Sequence, residues 1–299
     1  MSGLKELKRR QKTAMIIERM TGAMRMISRA RYTAMQNDVR KNQDICQPLK
    51  DLAHRIMATM AGDGEVCSVP YAAPGPEDAP WLLVLMTSDG GLCGGFNQKL
   101  IKAALEWLEE RKNETVHVLC VGKKGMNALQ KKSAITVYSC EDLSIKWQDH
   151  VIDLFKNKKI RGCFAIYGKF FNILTQEPHL ISILPFVIQA DPGLDQNYGE
   201  QNGEGQNAGL HNGLLTIEPN AETVLNSILE VLVQAFLEKI TKAHTISEHA
   251  ARMNAMDSAN DNAKDMIRRL QIKYNRLRQD RITKEIIEIV SGSEAAGSA

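Results

Sequence analysis

The first segment of the chain, residues 1–61, has the pattern of one long helix. From Leu4 onward its only glycine is Gly22 and its only proline is Pro48. Because proline lacks an amide hydrogen and clashes with the preceding turn, we expect Pro48 to kink the helix or to end it near Gln47. The positions that lie near helical spacing are Leu4, Leu7, Gln11 and Ala14, followed by Met20, Met24, Ile27 and Ala34.

The end of the chain predicts a second, longer helix. Residues 220–291 contain neither glycine nor proline, Pro219 precedes them as a fitting helix start, and Gly292 follows them as a fitting stop. A periodic pattern much longer than about 25 residues is typical of a coiled coil. Two such helices at the chain ends therefore predict an antiparallel pair. Its expected contact stripe consists of Met266, Leu270, Tyr274 and Leu277, is broken at Arg281, and has Ala250, Asn254, Asp257 and Asp261 further back.

Between these helices the pattern changes to alternating strands and helices. Residues 62–80 are rich in proline and glycine and predict a linker, while residues 191–219 predict a flexible loop. The continuous apolar run of residues 81–86 is typical of a strand buried on both faces. Strands that alternate with helices predict a parallel, Rossmann-like sheet in residues 81–190, and residues 292–299 are a tail. The other strands are expected at 115–121, 135–138, 162–167 and 180–188, and the helices at 97–111, 123–132 and 145–158.

Charge is distributed unevenly along a chain whose net charge is only +3. Residues 1–61 carry a net charge of +8, residues 62–219 of −5, and residues 220–299 of 0. A solvated helix face is the ordinary interpretation of one basic run, but two runs that meet in an antiparallel pair favour an acidic partner. The basic clusters are Lys5, Lys8, Arg9, Arg10, Lys12, Arg19, Arg25, Arg29 and Arg31 in the first helix, and Lys264, Arg268, Arg269, Lys273, Arg276, Arg278, Arg281 and Lys284 in the last.

The usual signatures of catalysis and cofactor binding are missing from the sequence. The glycine-rich segment 88–97 follows the first predicted strand, where doubly wound folds bind phosphate, but its glycines do not have GxGxxG spacing. We therefore interpret it as a structural turn. No P-loop, HExxH or GxSxG motif occurs, and no two of the six cysteines form a CxxC pair. We expect no catalytic residue, no cofactor and no metal ion in this chain.

Two other functional classes stay open at this point. One is a coiled-coil adaptor or nucleic-acid-binding rod with an α/β platform, although aromatic residues that could stack on bases are almost absent from the basic clusters. The other is a nucleotide-binding enzyme built on residues 81–190. A direct membrane span is not expected, because no run of about 18 apolar residues occurs.

Three segments of the sequence together resemble one known protein family. Near the start, LKELKRRQKTAM and MTGAMRMISRAR match that family, with Met24 inside its T-x-A-M segment. In the middle, MTSDGGLCGGFN resembles its central-domain motif, although Gly90 stands where the family usually has arginine. Near the end, ITKEIIEIVSG, within residues 247–292, resembles its C-terminal signature. The family that these segments resemble is the gamma subunit of F-type ATP synthase. The loop at 191–213 has no cysteine pair, so the thiol switch of chloroplast-type gamma subunits is not indicated.

The resemblance implies a rotor shaft, not an independent enzyme. In the family, this subunit turns inside a ring of alpha and beta subunits, and its foot binds the epsilon subunit and the membrane ring of c subunits. Proton flow turns the c ring, and the asymmetric shaft drives each beta site through its conformations. No nucleic-acid partner is implied. Because the sequence shows no transit peptide, we expect a peripheral protein at the cytoplasmic face of a bacterial inner membrane.

The resemblance also implies a set of subunit-interface residues. Arg252 and Gln279 match family positions that engage the catch loops of beta. Thr283, Glu285 and Glu288 match C-terminal positions near the bearing in which the shaft turns. The complete expected set is Met24, Arg25, Arg252, Arg268, Arg269, Gln279, Thr283, Glu285 and Glu288.

Overall fold

The chain forms two compact units that share its two long helices. The computed structural model describes residues 2–62, 71, 73–130, 136–140, 146–186, 218 and 220–297. One unit, here called the coiled-coil unit, comprises residues 1–29 and 252–299, and the other, the central domain, comprises residues 30–251. The predicted linker at 62–80 lies partly outside the described residues, and the predicted loop at 191–219 lies almost entirely outside them.

Both terminal helices are longer than the sequence pattern indicated. Helix α1 spans Ser2–Gly62 and continues through Pro48, so the expectation that it could end near Gln47 is wrong. The last helix, α5, spans Ala221–Gly297, so Gly292 does not end it. Its start is capped by Asn220, whose side-chain oxygen accepts a hydrogen bond of 2.8 Å from the Thr223 amide.

In the coiled-coil unit the two helices run antiparallel. Gln11 on α1 pairs with Gln271 on α5, whereas Arg25 pairs with Asp257, so the residue numbers of the partners run in opposite directions. The contact seam on α1 has a strict spacing of seven residues. Its buried positions are Leu7, Ala14, Thr21 and Ser28, and those on α5 are Met256, Asn260 and Ala263.

Some of the apolar residues at helical spacing lie outside this seam, although Leu7 and Ala14 lie in it. Met20 and Ile27 on α1 are 60% and 51% exposed, and Met266 on α5 is 55% exposed. The expectation that Met266 lies in the contact stripe is therefore wrong. On α1 two stripes have helical spacing, and the one with small and polar residues faces α5. Leu270 and Tyr274 are half-buried, as a seam position requires.

The central domain contains one five-stranded sheet with the strand order β3-β2-β1-β4-β5. The first four strands in sequence are parallel, and the expectation of a parallel sheet is wrong only for β5, which pairs antiparallel to β4. Only the short turn at 171–175 joins β4 to β5, whereas a parallel connection needs about a dozen residues or more. The strands are β1 Trp81–Met86, β2 Val116–Val121, β3 Thr136–Ser139, β4 Gly162–Phe170 and β5 Gln176–Leu184.

Helices cover both faces of this sheet. The short helices are α2 Phe96–Glu110, α3 Lys123–Leu129 and α4 Trp147–Lys156. Leu83 and Leu85 of β1 pack in one core with α2 and α3, while Leu82 and Val84 pack in the other with α1, α4 and α5. Burial on both faces explains the continuous apolar run of β1. The predicted fold class, a Rossmann-like α/β domain flanked by a long antiparallel helix pair, is confirmed.

Candidate interaction surfaces

Polar side chains make the described contacts across the seam of the coiled-coil unit. The buried Asn260 side chain donates hydrogen bonds to the Glu18 carbonyl oxygen at 2.8 Å and to the Thr21 hydroxyl at 3.3 Å. Arg25, an expected interface residue, donates from Nη1 to Asp257 at 2.6 Å, which raises the pKa of the guanidinium. The structure therefore uses Arg25, at least in part, to join α1 to α5.

An exposed apolar stripe lies on α1 beside the seam. We call Ile16, Ile17, Met20, Met24 and Ile27 the α1 stripe, and these side chains are between 37% and 60% exposed. Steps of four, four and three residues place Ile16, Met20, Met24 and Ile27 on one helix face. Because apolar surface this concentrated marks interaction sites, the α1 stripe is a candidate contact surface. Met24, which the sequence singled out, is its central member.

A second exposed apolar surface lies near the end of α5. Ile282, Ile286, Ile287, Ile289 and Val290, here called the α5 tip, are between 45% and 71% exposed. The first residues of α1 line a groove of about 340 Å³ with α5 residues between 277 and 284. The helices run antiparallel, with Gln11 paired to Gln271, so none of the described α1 residues lies opposite most of the α5 tip.

The other expected interface residues lie on α5 and are mostly exposed. Arg252 is half-buried, while Arg268 and Arg269 project from the coiled-coil unit into solvent. Gln279, Thr283, Glu285 and Glu288 lie on or beside the α5 tip and are exposed, and Glu285 accepts a hydrogen bond of 2.7 Å from the Arg281 side chain. No contact with another subunit tests these assignments, so they stay predictions.

The glycine-rich segment after β1 forms a turn held by its own hydrogen bonds. Asn97 Nδ2 donates to the Ser88 hydroxyl at 2.7 Å, and the Ser88 amide donates to Asn97 Oδ1 at 3.0 Å. Leu92 and Gly94 adopt positive φ angles of 66° and 59°. This geometry agrees with the interpretation of the segment as a structural turn.

Neither a metal cluster nor a membrane-spanning helix occurs in the part of the chain that the structure describes. Its His, Cys, Asp and Glu side chains form no group of three that could hold a metal ion. Among the described helices, none is apolar over a length sufficient to cross a bilayer. What these residues offer chemically is two exposed apolar surfaces beside many cations, which suits binding to other proteins.

Sequence reasoning missed the α5 tip and the buried His244. The available signal for the tip was the recurrence of isoleucine at 282, 286 and 289, which continues an apolar helix face beyond the partner helix. No comparable signal existed for His244, because its importance depends on which strand it meets.

Comparisons with known proteins assign the family. The model of the family described as ATP synthase matches residues 3–296. The ATP synthase gamma chain of Maricaulis maris is 32% identical over 318 residues, which cover 99% of this chain and 100% of that one. That of Paracoccus denitrificans is 34% identical over 314 residues, again covering 99% of this chain and 100% of the relative.

Solved structures share the fold at low sequence identity. The central stalk and c-ring structure of the Tetrahymena thermophila mitochondrial ATP synthase contains a chain with a TM-score of 0.53 and 18% identity. The match covers 80% of this chain and 99% of that one. The family match over nearly all residues and the full-length relatives show that the chain belongs to the gamma-chain family of ATP synthase.

Proposed function

We propose that this chain is the rotor shaft of a proton-translocating F-type ATP synthase. It turns with the ring of c subunits and drives the catalytic beta subunits through their conformations in turn. The chain itself supplies shape and contact surface, and the reaction takes place on other subunits. Its partners are the alpha and beta subunits of the catalytic hexamer, the epsilon subunit and the c ring.

The α5 tip is the observation that carries this proposal. Five large aliphatic side chains lie exposed at a helix end that has no α1 residue beside most of its length. Exposed apolar surface of this size is costly in water and marks a binding site. A shaft end enclosed by an apolar sleeve of the hexamer would bury this surface, with Thr283, Glu285 and Glu288 at the rim of the contact.

The middle of the coiled-coil unit carries a surface that is suited to contact acidic surfaces of the beta subunits. The α1 stripe combines two methionines with three isoleucines, and cations such as Arg268 and Arg269 lie exposed on α5. Methionine is unbranched and adapts its shape to different partners. Such a surface suits a shaft that meets three beta subunits in different conformations, with Arg252 and Gln279 at the catch loops.

The central domain is the part that we assign to the base of the rotor. The two apolar surfaces described above belong to the coiled-coil unit and are assigned to the catalytic hexamer. The central domain would therefore hold the epsilon subunit and the c ring. We assign the assembled enzyme to the cytoplasmic face of a bacterial inner membrane. The similarity to gamma chains of the bacteria Maricaulis maris and Paracoccus denitrificans supports this location.

Reconstitution with alpha and beta subunits from the same source tests the proposal. We expect this chain to form a complex with them and to raise their ATP hydrolysis. Replacing Ile286 and Ile289 by glutamine should weaken assembly about tenfold or more, because unpaired amides would enter the apolar sleeve. Leu174→Gln is the matched control, since Leu174 is 83% exposed in the central domain.

In isolation, the unchanged chain, the glutamine double variant and Leu174→Gln should be equally stable. Any loss of complex formation then reflects weaker assembly. Equal assembly of the glutamine double variant and the unchanged chain would contradict the α5 tip as the bearing contact. If the unchanged chain forms no complex and leaves hydrolysis unaltered, the rotor proposal fails. A salt-titrated nucleic-acid binding assay would then test the adaptor alternative.

A further inference from the structure

The carboxyl ends of β1 and β4 meet at the point where the strand order reverses. The chain passes from β1 outward to β2 and β3, and then returns to place β4 on the other side of β1. In open α/β sheets this reversal leaves a crevice in which ligands bind. Here the crevice holds side chains of the protein itself, namely Phe96 from α2 and His244 and Ser247 from α5.

The packing of this crevice leaves little space above the end of β4. A Cβ atom on Gly168 would lie 2.5 Å from the ring of Phe96 and 3.3 Å from Cβ of Ser247. The Phe96 and His244 ring centroids are 5.5 Å apart. Gly168 is therefore needed for the close approach of β4 to both helices.

One directional contact joins α5 to β4 in this crevice. The Gly168 amide donates a hydrogen bond of 3.2 Å to Nδ1 of His244. Apolar neighbours such as Ile240 and Ile246, both 0% exposed, fix how closely α5 packs but tolerate small sliding movements. A hydrogen bond depends on both distance and angle, so it fixes the position of α5 along and around its own axis.

The His244 ring must be neutral to accept this hydrogen bond. Burial lowers its pKa to about 4, and a smaller opposing effect comes from the Thr87 main chain. With Nδ1 as the acceptor, the proton of the neutral ring lies on Nε2. Among the described residues, no hydrogen bond of ordinary distance and angle is formed by Nε2, although the Thr87 main chain interacts with the ring. The bond from the Gly168 amide to Nδ1 is the directional contact between the ring and β4.

We propose that the crevice between β1 and β4 is a seat for α5, and that His244 is the positioning residue that fixes α5 against β4. The inference rests on the proposed function, because α5 continues from this seat to Gly297 in the coiled-coil unit. Torque that the central domain receives from the c ring would enter α5 through this contact. In this chain, a ligand crevice of the fold thus serves to hold a helix.

Two substitutions separate positioning from simple packing. His244→Leu keeps most of the side-chain volume but removes the acceptor, whereas His244→Asn loses volume and keeps an acceptor oxygen near the place of Nδ1. Hydrogen exchange of the Gly168 amide and of α5 residues 240–250 in the full-length chain is the first measurement. We expect exchange to become about tenfold faster in His244→Leu, because a buried amide loses its partner.

His244→Asn should stay within about twofold of the unchanged chain at the Gly168 amide, since the hydrogen bond survives. Ser247→Ala is the matched control, because it alters the same seat and removes no described hydrogen bond. Slow exchange in His244→Leu, or equally fast exchange in His244→Asn, would overturn the proposal. If the leucine variant does not fold, the asparagine variant alone decides, since rapid Gly168 exchange in it contradicts the inference.

The assembled enzyme provides a second measurement. ATP-driven proton pumping per ATP hydrolysed should fall in His244→Leu and stay near the unchanged value in His244→Asn and Ser247→Ala. Equal pumping ratios in all forms would overturn the transmission role of the seat. If the unchanged chain does not support pumping at all, the proposed function fails, while hydrogen exchange still tests the seat by itself.

Discussion

The same helix, α5, is stabilised in different ways in the two units. In the central domain its inward positions from Leu225 to Ala243 are apolar and almost completely buried, as Leu225, Leu229 and Leu237 show. In the coiled-coil unit the buried α5 positions are Met256, Asn260 and Ala263, and large apolar residues lie exposed instead. A helix that packs on its own sheet needs no further partner, whereas the second arrangement leaves surface for other subunits.

The two parts of α5 should differ most in the stability that is lost when an apolar side chain is shortened to alanine. Leu229→Ala, at a position only 1% exposed, should destabilise the full-length chain by about 3 kcal/mol, through lost burial and a new cavity. Ile287→Ala, at a position 57% exposed, should change the free energy of unfolding by less than about 0.5 kcal/mol. Denaturant unfolding followed by circular dichroism measures both, and equal losses would remove the contrast.

Acid should weaken the central domain through His244. Its pKa is about 4 in the folded chain against an ordinary value of 6.5, so the unfolded chain binds the extra proton. This part of the stability is complete above pH 6.5 and is lost as the pH falls toward 4, by about 1.4 kcal/mol per pH unit.

Unfolding measured at several pH values in His244→Asn isolates this effect, because the other titrating groups are retained. The coiled-coil unit contains no histidine, so it provides an internal control. The same pH dependence in the asparagine variant and the unchanged chain would show that other groups cause it.

The stability of the coiled-coil unit should depend on whether one or both members of a hydrogen-bonded pair in the seam are replaced. Asn260→Ala should cost about 1–2 kcal/mol, because the Glu18 carbonyl and the Thr21 hydroxyl lose a buried donor. Replacing Asn260 by leucine and Thr21 by valine together should be nearly neutral, since fewer unpaired polar groups remain. Thermal unfolding compares the variants with Asn262→Ala at an exposed α5 position. A double variant less stable than the alanine variant would contradict this account.

The smallest effect is expected for the ion pair between Arg25 and Asp257. Their side chains are 42% and 47% exposed, and solvent weakens the attraction between charges at such positions. A double-mutant cycle with Arg25→Gln and Asp257→Asn should give a small coupling energy that decreases with added salt. A larger, salt-independent coupling would mean that the pair contributes to this unit as a buried contact does.

The sequence predicted most of the fold because its patterns there reflect local requirements. A run such as WLLVLM has few alternatives to a doubly buried strand, and long stretches without glycine or proline predict long helices. The helix-breaking residues proline and glycine were less reliable guides to where the helices end. Helix α1 passes Pro48 because residues beyond it, such as Ala53 and Ile56, are buried in the central core, and tertiary packing outweighs local preference.

The candidate surfaces were less predictable, since they depend on which helix face meets which partner. Periodicity could not decide between the seam containing Ala14 and the stripe containing Met20, because both recur at helical spacing. The expected interface residues came from family resemblance and stay predictions. His244 could not be recognised, because its role requires Gly168, which lies far away in sequence, to be its neighbour.

The regular seam of α1 also has a mechanical consequence. Buried residues seven positions apart, from Leu7 to Ser28, fall slightly short of two full helical turns, so the paired helices wind around each other with a left-handed sense. A left-handed supercoil tightens when it is twisted further in the left-handed sense and loosens when it is twisted in the right-handed sense. The coiled-coil unit is therefore torsionally asymmetric, and its stiffness depends on the direction of the applied twist.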